Sequence, residues 1–184
     1  NILLILGVAL LIVIVVVFII LRTNANKNKD NGEPVGPPQP VYDLQIGDVR
    51  FVFASSQDIG PVLVSPDTRF QPNLTTTERF IRVVVGAQNK GKMDTKRNTW
   101  DLGNIIDSEG RNFIPVTRSN NSSNFFSDRT NTCGSILKPE FELVSCEKFY
   151  EVSKQSTGLK IQVYTTEASG SSKKQIDLLD LIVN

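Results

Sequence analysis

Cys133 and Cys146 are the pair of side chains whose type and spacing most directly define a chemistry, and they are the only cysteines in the 184-residue chain. In a chain placed outside the cytoplasm, a lone even pair reads as a disulfide rather than as two free thiols. Closing a loop of roughly 14 residues would stabilise the fold by ~3 kcal/mol through chain entropy. A redox or metal role does not fit, because there is no CxxC spacing and no third or fourth soft ligand. Histidine is absent altogether, which removes the commonest general base and the commonest metal ligand together.

Carboxylates are the next candidates. Asp101, Asp107 and Glu109 lie close in sequence and are the hard oxygen donors that calcium takes. However, the segment Asp107-Ser108-Glu109-Gly110 reads more directly as a hairpin turn. Asp177 and Asp180 fit a solvated face near the C-terminus. No nucleophile elbow, phosphate loop or zinc motif is present. The sequence therefore points to no enzyme activity, no metal and no cofactor. Lys and Arg total 20 against 19 Asp and Glu, a balance that gives no electrostatic case for nucleic acid.

Two further groups of residues could carry surface chemistry. Asn73, Asn120 and Asn121 each head an N-x-S/T triplet, so they are candidate glycosylation acceptors if the source glycosylates exported proteins. Phe125 and Phe126 stand inside the polar stretch 118–132. They either tuck back into a core or make an apolar contact with a neighbouring subunit or partner, since long loops on a rigid scaffold are where binding concentrates.

The elements that must position these residues are mostly strands. From Asp43 onward the pattern has period two, or short apolar runs bounded by turn residues. Strands are expected at 48–54, 79–88, 100–106, 112–117, 141–146, 159–165 and 176–183, the last with a short helix as alternative because Leu and Asp are weak strand formers. Seven such strands fit a β-sandwich. About 140 residues are enough for one domain with a full core.

Ahead of them, Ile2 to Leu21 reads ILLILGVALLIVIVVVFIIL without a charge or a hydrogen-bonding side chain. As a helix, about twenty residues span ~30 Å, the hydrocarbon thickness of a bilayer. The run is too long for a signal h-region and leads into Arg22-Thr23-Asn24 rather than a small-residue cleavage site. A single-span anchor and an assembly helix both fit, with Gly7 and Ala9 as the positions of close helix approach. Residues 23–40, rich in Asn, Gly and Pro with Pro34, Pro37, Pro38 and Pro40, form a linker that acts as a spacer, its Pro37–Pro40 end extended and fairly stiff. Arg22, Lys27 and Lys29 alone would favour a cytoplasmic placement of that side, a signal that any residues lost before Asn1 could outweigh. The expected division is thus 1–22 apolar helix, 23–40 linker and 41–184 head.

Two resemblances follow from these segments. An apolar helix at the N-terminus followed by a β-rich head resembles the layout of type IV pilins and their archaeal relatives. The glutamate that many bacterial pilins carry near the helix start is replaced by Ile5, and Asn1 stands where Phe or Met is usual, which favours an archaeal-type or divergent filament. The turns Asn89-Lys90-Gly91, Asp107-Ser108-Glu109-Gly110 and Leu137-Lys138-Pro139 resemble, in order, those of secreted immunoglobulin-like domains related to telokin-like and immunoprotective extracellular antigens. Glu140 replaces the Gly that usually follows the proline there. The resemblance implies an immunoglobulin-like antiparallel β-sandwich in an extracytoplasmic setting and transfers no catalytic residue. Together these features lead to the expectation of a cell-surface filament subunit with copies of itself as partners, held in the membrane through residues 2–21 at least before assembly. The alternative is a single-pass, membrane-anchored immunoglobulin-like binding module.

Overall fold

The computed structural model describes residues 38–65, 72–118, 121–124, 132–166 and 174–184, with backbone only at 117–118 and 121–124. The expected helix at 1–22 with Gly7 and Ala9, the linker up to residue 37, Asn120, Phe125 and Phe126 lie outside the described residues. Among the described residues no helix is long and apolar enough to cross a membrane.

Pro40–Asn184 forms one compact unit built from β1 (Asp43–Ile46), β2 (Val49–Leu63), β3 (Leu74–Asn89), β4 (Trp100–Ile106), β5 (Asn112–Phe113), β6 (Thr117–Arg118), β7 (Asn121–Asn124), β8 (Val144–Val152), β9 (Lys160–Thr166) and β10 (Lys174–Asp180). Two four-stranded antiparallel sheets make a sandwich, in the orders β1-β2-β3-β8 and β10-β9-β4-β5, and β6 pairs with β7 beside them.

Alternation along each strand explains the core. On β3, Ile81, Val83, Val85 and Ala87 are buried because residues two apart share a face. They pack with Phe51 of β2 and Tyr150 and Val152 of β8, and across the sandwich with Trp100, Leu102 and Ile105 of β4, Ile161 and Val163 of β9, and Leu179 of β10. Trp100 meets Phe51 edge-on, with ring centroids 6.3 Å apart, and its Nε1 donates to the Ser135 carbonyl at 2.7 Å, so the indole is buried without an orphaned donor. A smaller cluster of Leu63, Phe80 and Phe149 packs with Ile59, Leu74 and Val116.

The expected strands differ from these elements in instructive places. The strand expected at 48–54 continues to Leu63 and is preceded by β1, a short hairpin partner. Around Pro115, which lacks a donor for the ladder, the strand expected at 112–117 is two short pieces. The strand expected at 141–146 begins at Val144 and runs on to Val152. Before it, Phe141 N donates back to the Lys138 carbonyl and Glu140 adopts φ 58°, the left-handed turn conformation that glycine favours. The C-terminal segment is strand β10, not helix, because all seven of its residues pair with β9.

Truncating Trp100 or Phe51 to Ala should cost about 3–5 kcal/mol, whereas Met93→Ala, at a side chain 82% exposed, should change stability by less than about 0.5 kcal/mol. Urea denaturation of a Pro40–Asn184 fragment measures both, and equal effects would mean that the sheets do not share this core.

Candidate functional site

One group of buried polar side chains meets where β4 faces β8. Strand β4 shifts register against β9 between Leu102 and Ile105. This bulge sets Gly103 and Asn104 together opposite the single residue Gln162, so that Leu102 and Ile105 both point into the core despite an odd spacing. A Cβ on Gly103 would stand 2.9 Å from the Cβ of Gln162, so the bulge needs glycine there. Side chains serve the backbone around it. Asn104 N donates to Gln162 Oε1 at 3.1 Å, Lys148 Nζ donates to the Leu102 carbonyl at 2.7 Å, and the Tyr150 hydroxyl donates to the Gly103 carbonyl at 2.8 Å.

Cys146, Lys148, Tyr150 and Val152 occupy one face of β8 by the same alternation that builds the core, which is why a lysine points inward. Its side chain is 7% exposed and its Nζ lies 2.8 Å from Oδ2 of Asp101, itself 28% exposed. Leu102 N donates to the other oxygen, Asp101 Oδ1, at 2.7 Å. The Tyr164 hydroxyl reaches Asp101 Oδ2 at 3.5 Å, and Lys174 Nζ stands 3.4 Å from the centroid of the Tyr164 ring, a cation over an aromatic face. Burial, and secondarily the Asp101 charge, pushes the Tyr164 hydroxyl up to about 12. Tyr150 is raised well above its ordinary value by burial. Burial lowers Lys174, with Asp101 opposing and Lys148 adding to that fall.

Cys133 and Cys146 form a disulfide with Cα atoms 4.6 Å apart, and Cys146 Sγ lies 3.6 Å from Asp101 Oδ1. Asp101 and the two sulfurs fall within 4.8 Å of one another. With the sulfurs bonded to each other neither offers a thiolate, so the cluster is no soft-metal ligand set.

Asp107 is separate from this seam and serves its turn. Its Oδ1 accepts from the backbone amides of Glu109 and Arg111 at 3.0 and 2.9 Å, and its Oδ2 accepts from Arg111 Nε at 2.6 Å and Ser156 Oγ at 2.8 Å. Gly110 follows with φ 79°. Burial alone would raise the carboxyl, but these hydrogen bonds outweigh it and hold it at about 2. The oxygens are committed to the turn, so the segment is a hairpin connection rather than a calcium loop. Glu109 is exposed and pairs loosely with Arg111.

The remaining candidates are scattered. Asn73 is exposed and its Oδ1 accepts from Ser65 N at 2.9 Å. Asn121 lies in β7. Asp177 Oδ1 accepts from Leu178 N. Asp180 is not simply solvated: it accepts from Val41 N at 2.7 Å and pairs with Lys160 at 2.9 Å. Lys148, Tyr164 and Lys174 escaped the sequence reading, although an inward lysine was legible in the alternation of SCEKFYEV. A shallow cavity of about 450 Å³ near the start of β8 is lined in part by Ile136, Phe141 and Leu143, all three exposed.

No family model and no curated protein matches the sequence. Among solved structures, the chain is similar to a functionally unknown protein from Listeria monocytogenes EGD-e. The TM-score is 0.47 and the sequence identity 10%, over 78% of this chain and 82% of that one.

Two outcomes follow. The Asp107 carboxyl is lowered on folding, so its stabilisation is present above its unfolded value of 3.8 and is lost as pH falls toward about 2. Acid titration of thermal stability should show this loss in the wild type and a flatter profile in Asp107→Asn; identical profiles would remove Asp107 from the turn. Replacing both cysteines by Ser should cost about 3 kcal/mol, and two freely alkylatable thiols in native protein would contradict the bridge.

Proposed function

We propose that this chain is a non-enzymatic cell-surface structural protein, a pilin-like filament subunit. In this reading residues 1–22 form the helix that is held in the membrane before assembly and then packs with its copies in a filament core. The linker 23–40 carries the head clear of that core. The observation that carries the proposal is the uncharged run from Ile2 to Leu21 ahead of a head with its own closed core. Such a helix offers its neighbours only apolar packing, which suits both a bilayer and a filament interior.

The finer reading of the head is immunoglobulin-like. Strands β2-β3-β8 and β10-β9-β4-β5 occur in the order of the A-B-E and G-F-C-C′ strands of such sandwiches, and a buried tryptophan on strand C is a hallmark of them; Trp100 on β4 takes that place. The disulfide departs from the B–F position of antibody domains. It supports an extracytoplasmic setting, where disulfides persist.

A second reading rests on a different observation. Ile136, Phe141 and Leu143 expose apolar surface around one cavity, the kind of patch that marks a contact site, and a membrane-anchored binding module would use it. Electron microscopy of material sheared from cells separates the two: filaments containing this chain support the subunit reading, and chain recovered only as single copies in membranes supports the anchor. In the first reading Val13→Asp should abolish incorporation into filaments, and normal display and assembly of that variant would remove the helix from its role.

A further inference from the structure

We propose that Lys148 and Asp101 condense to an isopeptide bond that joins β8 of one sheet to β4 of the other. The proposal stands apart from the filament reading and rests on the seam alone. The Lys148 side chain is more than nine-tenths buried with its Nζ 2.8 Å from Asp101 Oδ2, and the second contact of Nζ, the Leu102 carbonyl at 2.7 Å, fixes its direction. The two carboxyl oxygens have different surroundings. Oδ1 is held by the Leu102 backbone amide at 2.7 Å, as a donor holds the oxygen that gathers charge during acyl transfer. Oδ2 faces the lysine nitrogen and the Tyr164 hydroxyl.

The step balances without an oxidant or co-reactant. The ammonium passes one proton to Oδ2, giving a neutral amine and a carboxylic acid. The amine lone pair attacks Cγ and the C–N bond forms. The C–Oδ2 bond breaks, and Oδ2 leaves as water with the transferred proton and a second proton from the nitrogen. Oδ1 remains as the amide oxygen. Tyr164, whose raised value keeps it protonated, donates a hydrogen bond toward the departing oxygen and can relay the second proton. Holding amine and carboxyl in one geometry lowers the barrier that the same condensation faces between free molecules in water, because effective molarities for such oriented pairs reach roughly 10⁵ M or more.

Intact mass spectrometry of the full chain under reducing conditions tests this directly. The wild type should be lighter than its sequence by one water, trypsin should not cut after Lys148, and tandem spectra should show one branched peptide joining the Asp101 and Lys148 segments. Lys148→Arg, which keeps the cation, and Asp101→Ala should each restore the full sequence mass. Wild-type protein at full sequence mass, with Lys148 cleaved by trypsin and the two segments in separate peptides, would overturn the proposal and leave an ion pair. The wild-type measurement decides the matter even if a variant fails to fold.

Discussion

The sandwich depends on how β8 reaches across to β4. Apolar packing between the sheets is non-directional and would tolerate sliding, whereas hydrogen bonds fix register. The bulge in β4 turns a local defect of the ladder into anchor points. The Leu102 and Gly103 carbonyls accept from Lys148 and Tyr150, two side chains that reach them from the opposite sheet. The disulfide joins β8 to the segment before it at the same end. A buried lysine or tyrosine without such partners would cost several kcal/mol, so the bulge and the inward polar residues of β8 require one another.

On the side where β1 and β10 form the edges, the two ends of the head cover exposed backbone. Val41 and Asp180 exchange hydrogen bonds, Val41 N to Asp180 Oδ2 and Asp180 N to the Val41 carbonyl, which ties the start of the head to its last strand. Further along the same side, the C-terminal residues lie along β2: Val183 bridges Ser56 in parallel, and Asp58 N donates to the Asn184 carbonyl. Each contact covers backbone that an exposed edge would otherwise offer to another chain. The last strand, β10, is itself paired along its whole length with β9 of its own chain.

What was legible in the sequence was whatever is set locally. Trp100–Ile106 reads as a strand and is one, because its apolar residues are bounded by polar turns. Asp107 to Gly110 reads as a turn because Asp accepts from amides two and four residues on. The partner that completes that turn, Ser156, lies 49 residues away and nothing local announces it. The start of β8 was misplaced because Phe141 and Leu143 look like core residues, yet they are exposed and the chain is still turning there. The seam was half legible: Gly103-Asn104 inside an apolar strand is a bulge signal, and Lys148 alternates with Cys146 and Tyr150. That these meet Asp101 follows only from the pairing of the two sheets. The apolar N-terminal run defines what it can do by composition alone, since it has nothing but van der Waals surface to offer.

Native-state hydrogen exchange on Pro40–Asn184, comparing wild type with Tyr150→Phe, tests most directly whether the β4–β8 seam holds the two sheets together. The account predicts that the core amides of β3, β8, β4 and β9 exchange with one common free energy, and that deleting the single hydroxyl lowers it in both sheets by about 1–3 kcal/mol by orphaning the Gly103 carbonyl. Exchange in which β4 and β9 open at a lower free energy than β3 and β8 in the wild type, with Tyr150→Phe altering only its own strand, would contradict it.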